Sequence, residues 1–182
     1  MNLRSLVTFM LIPFTANAAP ECKIQDDTSV ITFTATQNNA PVKGEFKKMN
    51  GIIHFDPADL KASNIKFEVD MNSVTTSYGL VSETLKTADW FDVKLFPKAL
   101  FTANEITLKN DKYSAKGEVK IRDKTLPLTV DFSVTQTPPK LKAIGSTVIK
   151  RTWFGIGQGE WASTDEVKDD VKVDFTLECL IK

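Results

Sequence analysis

The stretch NIKFEVDM, residues 64–71, indicates the fold class of this 182-residue chain. Its apolar side chains alternate with polar ones, which is typical of a β-strand with one buried face and one face in water. Seven further stretches show the same period of two. They are SVITFTAT (29–36), VKGEF (42–46), GIIHFD (51–56), ALFTANEI (99–106), GEVKI (117–121), LPLTVDFSV (126–134) and VKVDFTLEC (171–179).

Turn-forming pairs such as Asn50-Gly51, Asn110-Asp111 and Asp123-Lys124 separate these stretches, as expected for hairpins. The alternation stops between Ser73 and Pro97, where the spacing of apolar residues favours a short helix. We therefore predict an all-β protein. It is a single antiparallel β-barrel of about eight strands, with a short helical insertion between strands four and five.

The first eighteen residues have the layout of a secretory signal peptide. Arg4 precedes a short apolar run, and Ala16-Asn17-Ala18 forms a cleavage pattern. The run is too short to span a bilayer, which needs about 20 apolar residues. We expect residues 1–18 to be removed and residues 19–182 to form one barrel domain in a soluble, exported protein.

The charge of the chain limits its partners. It carries 23 Lys and Arg against 23 Asp and Glu, with no block of basic residues. Binding to nucleic acid depends on clustered positive charge, so we predict no nucleic-acid partner. For the same reason we do not expect charge alone to bind the protein to an anionic membrane.

The two cysteines, Cys22 and Cys179, lie near the opposite ends of the predicted domain. In an oxidising compartment such a pair most often forms a disulfide, although two free thiols are the alternative. A bridge requires the first and last strands to be neighbours, which a closed barrel provides. Closing so long a loop contributes roughly 5 kcal/mol in the chain-entropy account.

Residues suited to catalysis or to metal binding are scarce. His54 is the single histidine and lies one position out of phase with Ile53 and Phe55, so we expect it to face solvent. A metal site needs three or four ligands, which this chain does not offer around His54. An acid–base pair needs two carboxylates that face each other, whereas adjacent pairs such as Asp169-Asp170 are typical of solvated turns. We predict no metal, no cofactor, no catalytic residue and no enzymatic activity.

Three alternating glycines stand in RTWFGIGQGEW, residues 151–161. Their spacing, G-x-G-x-G, differs from the dinucleotide-binding pattern G-x-G-x-x-G, and a strand follows them instead of a helix. We therefore interpret Gly155, Gly157 and Gly159 as a bend at the end of the barrel, beside Trp153, Phe154 and Trp161.

Many phenylalanines share the inward phase of their strands, including Phe33, Phe67 and Phe132. An eight-stranded barrel is either filled by its own side chains or hollow enough for one small ligand. The periodicity does not distinguish a solid core from a cavity.

Several segments, taken together and in order, resemble the YceI-like polyisoprenoid-binding proteins. SVITFTATQNNAPVKGEFKKMNGIIHFDP (29–57) resembles the opening strands of that family, and MNSVTT (71–76) its S-x-x-T. TLKTADWFDVKLFPKALFTA (84–103) resembles its L-x-x-x-D-[WF]-F-D run. GEVKIRDKTLPLTVDFSV (117–134) resembles a family hairpin, and RTWFGIG (151–157) its R-x-x-F-G-[IVL]-G.

The resemblance implies a lipocalin-like barrel that holds a long isoprenoid or similar amphiphilic lipid in its lumen. It also implies a bacterial periplasmic location. The ending QGEWASTDEVKDDV (158–171) is similar to that of members found beside a membrane cytochrome b. A quinone-like lipid, presented to such a cytochrome, is therefore the alternative function. We also allow for a homodimer.

The resemblance assigns candidate site residues. Ser73, Thr75 and Arg151 are the head-group candidates, and Leu85, Trp90 and Phe91 would gate the lumen. The complete set of predicted lumen residues is Phe33, Phe46, Phe55, Phe67, Val69, Leu85, Trp90, Phe91, Phe101, Phe132 and Phe154. Many relatives carry a histidine in the first hairpin, where this chain has Gln37-Asn38-Asn39, so its polar contacts must differ.

Overall fold

A computed structural model describes residues 19–181 of the protein, and the predicted signal peptide lies outside this range. The strands are β1 (Glu21–Ile24), β2 (Val30–Gln37), β3 (Ala40–Phe46), β4 (Met49–His54), β5 (Asn64–Asp70), β6 (Val74–Thr76), β7 (Lys98–Lys109), β8 (Lys112–Ile121), β9 (Lys124–Thr137), β10 (Lys140–Lys150) and β11 (Asp170–Ile181). One α-helix, α1 (Gly79–Leu85), lies between β6 and β7. Three 3-10 helices cover Met71–Ser73, Arg151–Phe154 and Gly159–Trp161.

The strands form one antiparallel sheet that closes on itself. β1 and β2 lie end to end along β11, because β1 pairs with residues 179–181 and β2 with residues 172–176. β3 and β4 likewise continue one another, as do β5 and β6. The ring therefore has eight long strands, and the predicted antiparallel eight-stranded barrel with one short helix is confirmed.

The interruption between β3 and β4 has a local cause. Phe46 and Met49 are both buried, and the two exposed lysines between them, Lys47 and Lys48, shift the alternation by one residue. A shift of this kind bends a strand and increases its twist, which helps a sheet to close. The helical segment consequently connects the third and fourth long strands of the ring.

The two ends of the barrel differ in how they are closed. At one end, which we call the base, Cys22 and Cys179 form a disulfide between β1 and β11 with their Cα atoms 5.3 Å apart. The predicted bridge is therefore confirmed. At the opposite end, which we call the mouth, two long segments, residues 77–97 and 151–169, lie over the strand ends.

Helix α1 has seven residues, so the described chain contains no helix long enough to cross a membrane. Its buried side chains are Ser82 and Leu85. The Oγ of Ser82 accepts the backbone N–H of Thr76 at 2.9 Å, which ties the helix to the end of β6. Residues 86–96 continue as hydrogen-bonded turns rather than as a second helix.

Candidate functional site

The barrel encloses a cavity of about 490 Å³ that extends from Phe55 and Leu141 near the base to Leu80 and Trp161 at the mouth. Forty residues line it, and all but four of them are apolar or aromatic. A cavity of this size with so few polar groups is typical of a binding site for an apolar small molecule. The barrel is hollow, which decides the question that the periodicity left open.

Ten of the eleven predicted lumen residues line this cavity. They are Phe33, Phe46, Phe55, Phe67, Val69, Leu85, Trp90, Phe91, Phe101 and Phe132. Phe154 does not line it. This residue is the last of the 3-10 helix Arg151–Phe154 that follows β10, and its side chain is fully buried. That these side chains contact a lipid stays a prediction.

The space inside the barrel depends on which inward positions carry large side chains and which carry small ones. Aromatic rings pack against each other along part of the wall, as in the Phe33–Phe46 and Phe46–Phe91 pairs, whose centroids lie 5.8 and 5.7 Å apart. Alanines occupy other inward positions, including Ala115 on β8 and Ala143 on β10. A methyl group there leaves volume that a larger side chain would fill.

Gly44 makes room for one of these rings. An added Cβ at this position would lie 2.5 Å from Cε1 of Phe33 and 2.8 Å from the carbonyl oxygen of Thr75. Any larger residue would therefore displace the Phe33 ring, so the glycine fixes where this part of the lining lies.

The two mouth segments are joined, and we call them together the cap (residues 77–97 and 151–169). The carbonyl of Asp89 accepts the backbone N–H groups of Gly157 and Gln158 at 2.7 and 2.8 Å. The Nη1 of Arg122 donates to the carbonyls of Trp90 and Gly155 at 2.7 and 2.6 Å. These contacts hold the cap as one unit over the cavity.

Arg151 organises the second segment of the cap. Its side chain is 2% exposed, and its guanidinium donates to five backbone carbonyls. The acceptors are Ile156, Gly157, Ser163, Val167 and Lys168, at 2.8 to 3.3 Å. An arginine has five N–H donors, so this guanidinium is fully used by the backbone. Burial lowers the pKa of Arg151, and the negative charge of Asp169 opposes that shift.

Asp169 is linked to the same region. Burial by itself raises the pKa of this carboxyl group, but hydrogen bonds from the backbone N–H and the hydroxyl of Thr152 lower it, as do the charges of Lys150 and Arg151. The net pKa lies below the usual value for aspartate. The carboxylate therefore stabilises the start of the cap segment in its ionised form.

The three alternating glycines lie in this segment, at the end of the barrel, and all three have left-handed backbones with φ of 64°, 75° and 61°. Gly157 has a second constraint, because an added Cβ would meet Nη1 of Arg151. The glycines thus turn the chain around the buried guanidinium. The 3-10 helices Arg151–Phe154 and Gly159–Trp161 lie at the two ends of this turn, and the segment is not built as a nucleotide-binding loop.

The predicted head-group residues are not brought together. Arg151 lines the cavity, whereas Ser73 and Thr75 do not. The hydroxyl of Ser73 donates to the carbonyl of Asp70 at 2.6 Å, and Thr75 is exposed on β6. Their contact with a head group stays a prediction.

Two polar residues that the sequence reasoning missed do line the cavity. Within residues 19–181 the side chains of Gln37 and Thr147 make no hydrogen bond, although both face the apolar space. Thr84, a third polar lining residue, already donates to the carbonyl of Leu80 at 3.0 Å. A sequence signal existed: Thr147 has the same strand phase as Ala143, and Gln37 the same phase as Phe33.

His54, the single histidine, does not line the cavity. His54 is half-buried on β4, far from the mouth, with Nδ1 3.3 Å from the carbonyl oxygen of Ala19. No group of three His, Cys, Asp or Glu side chains among residues 19–181 could hold a metal ion.

Comparison with solved structures places this architecture among known proteins. BcnA of Burkholderia cenocepacia is 30% identical and superposes with a TM-score of 0.81, covering 85% of this chain and 98% of that one. A polyisoprenoid binding domain from Saccharophagus degradans, implicated in plant cell wall breakdown, has a TM-score of 0.69 over 88% of this chain and 98% of that one. Because the identity to this second protein is 13%, the comparison with it shows a shared fold and nothing further.

Sequence comparison agrees with the structural one. A UPF0312 protein of Vibrio cholerae is 28% identical over 130 residues, which cover 69% of this chain and 68% of that protein. The Salmonella arizonae protein YceI is 27% identical over 88 residues, covering 48% and 46% of the two chains. The YceI-like domain model matches residues 23–179. The chain therefore belongs to the YceI-like domain family.

Proposed function

We propose that the protein is a periplasmic carrier that holds a long-chain isoprenoid or similar amphiphilic lipid inside the barrel. The observation that supports this best is the closed barrel with one long cavity lined almost entirely by apolar residues. The polyisoprenoid binding domain with the same fold supports a lipid as the ligand class. Family membership supports a binding role instead of a catalytic one.

Burial of an apolar tail supplies the main driving force for binding in this proposal. Removing about 400 Å² of lipid surface from water at about 25 cal/mol per Å² gives about 10 kcal/mol. Association costs about 4–15 kcal/mol, so burial of the tail offsets most or all of this cost before any polar contact is counted. The cavity therefore binds by shape and by exclusion of water, and polar groups add selectivity.

The polar groups favour a ligand with an uncharged head. Arg151 is the one charged residue among the forty that line the cavity, and the backbone uses all its donors. A phosphate drawn into the cavity would find the Arg151 donors already occupied by carbonyls, so it would lose its hydration without gaining charge-assisted hydrogen bonds. Gln37 and Thr147 can instead hydrogen-bond a hydroxyl, a carbonyl or a quinone oxygen.

Mass spectrometry of lipid extracted from the purified protein tests the proposal. We expect a prenyl lipid with a neutral head, and we expect an added prenyl quinone to displace it more effectively than a prenyl diphosphate of equal tail length. Thr147→Val should reduce the affinity for a hydrogen-bonding head, whereas the matched Thr147→Ser variant should retain it. Purified protein without lipid and without affinity for either prenyl compound would contradict the function.

The location and processing are part of the same proposal. A Cys22–Cys179 disulfide fits an exported protein. We expect protein isolated from the periplasm to begin at Ala19, which N-terminal sequencing would detect. Periplasmic protein that retains residues 1–18 would contradict the signal peptide.

The second candidate is presentation of a quinone to a membrane cytochrome b. The mostly apolar cavity with the side chains of Gln37 and Thr147 supports it, since a quinone head needs hydrogen-bond donors and no counter-charge. Co-purification with such a cytochrome that depends on bound quinone would favour this function over simple storage. Analytical ultracentrifugation of the lipid-loaded protein would test the homodimer, which stays a prediction.

A further inference from the structure

The most exposed large apolar side chains are concentrated at the mouth. Among the described residues Tyr78, Leu80, Leu95 and Trp153 are 58% to 82% exposed, more than any other large hydrophobic residue. All four belong to the cap, and we call them the mouth face. Exposed apolar residues that cluster at one end of a molecule mark an interaction surface.

The mouth face is continuous with the cavity. Leu80 is 82% exposed and also lines the cavity, so the apolar interior reaches the surface at this residue. The hydrogen bonds of Asp89 and Arg122 hold together the two segments that carry the four side chains. A ligand that leaves past Leu80 therefore emerges at one residue of the mouth face.

We propose that the mouth face docks on the surface of a phospholipid bilayer, from which the cavity is loaded. This inference rests on the proposed function, because a lipid ligand has its source in a bilayer. Tyr and Trp prefer the interface between headgroups and acyl chains, where an apolar ring and a polar tip are both satisfied. Two leucines beside them would enter the outer part of the hydrocarbon layer.

The charge of the cap determines which bilayer it binds. Residues 77–97 and 151–169 carry four cations and seven anions. An acidic cap is repelled by anionic lipids, so docking depends on insertion of apolar side chains and favours zwitterionic lipids. It is therefore insensitive to salt on zwitterionic vesicles, unlike the docking of a basic surface.

Flotation with phosphatidylcholine vesicles tests the docking. The mouth-face variant carries Tyr78→Ser, Leu95→Ser and Trp153→Ser, and it leaves Leu80 and the rest of the cavity lining unchanged. The matched control carries Ile52→Ser, Leu108→Ser and Ile144→Ser, which are 46% to 49% exposed on the barrel wall. Thermal unfolding of both variants checks that each is folded.

We expect the wild type and the control to float with the vesicles, and the mouth-face variant to lose about tenfold or more of its partition. Phosphatidylglycerol in the vesicles should not increase binding. Wild-type protein that stays in the soluble fraction, or equal flotation of the mouth-face variant, would overturn the docking. So would a mouth face that holds two copies together, seen as a dimer that this variant converts to a monomer.

The lipid content of each sample keeps the two proposals separate. Protein that holds a lipid but does not float contradicts docking alone. Protein that floats but never contains a prenyl lipid contradicts the proposed ligand and leaves the docking supported.

Discussion

The substitution Arg151→Met removes the guanidinium and keeps most of the aliphatic stem. Three of the five carbonyls that it serves belong to the buried residues Ile156, Gly157 and Val167. The other two belong to the exposed residues Ser163 and Lys168, where water can replace the lost donors. The free-energy cost therefore comes mainly from the three buried acceptors.

An unsatisfied buried acceptor costs about 1–3 kcal/mol, and removal of a buried charge recovers part of that cost because its desolvation is relieved. We estimate a net loss of about 3–5 kcal/mol from the free energy of unfolding. For a domain of this size each kcal/mol changes Tm by about 2–4 °C, so the expected decrease is about 10 °C.

Thermal unfolding followed by circular dichroism, with the disulfide intact, measures this decrease. Lys120→Met, at an exposed position of β8, is the control and should change Tm little. Lipid affinity is measured in parallel at a temperature where both variants are folded. An unchanged Tm combined with a large loss of lipid affinity would refute the structural role and support a head-group contact by Arg151.

Three further predictions concern the base, the cavity and pH. Replacing Cys22 and Cys179 by serine should lower the free energy of unfolding by about 5 kcal/mol in the chain-entropy account, and added reductant should then have no effect on Tm; a variant as stable as the oxidised wild type would contradict this. Ala143→Phe should keep the fold but shorten the cavity, so mass spectrometry should find less bound lipid, or shorter chains, than with Ala143→Ser. Because the pKa of Asp169 is lowered in the folded state, its stabilisation is present at neutral pH and is lost as pH falls through that lowered value. Asp169→Asn should therefore be less sensitive to pH below the ordinary aspartate pKa of 3.8, as measured by Tm, and an unchanged acid profile would count against this role.

The alternation of apolar residues was sufficient to predict the barrel, because each strand has one face toward the interior and one toward water. It also identified most of the cavity lining, since inward phenylalanines such as Phe67 and Phe101 line the interior whether the barrel is hollow or solid. It could not predict the cavity itself. Its volume depends on which small residues, such as Ala115, face which large ones across the ring.

The cap was harder to predict because its contacts have no period. Arg151 was predicted to contact a lipid head group, but its acceptors in the structure are carbonyls up to 17 residues farther along an irregular segment. Every residue type has a backbone carbonyl, so the sequence does not reveal which residues accept these hydrogen bonds. Thr147 was predictable in principle, since a polar residue in an inward phase has to find a partner or a ligand.

The pairing of β11 has a consequence for how the chain acquires its fold. β11 is the last of the described strands and pairs with β10, with β1 and with β2. The sheet therefore remains open along two edges until this strand is available, and closing it pairs residues as far apart in the sequence as Cys22 and Ile181. Such distant pairing makes folding slow. A nascent chain without β11 exposes its phenylalanines to water, so it depends on rapid completion, or on a chaperone, to avoid aggregation.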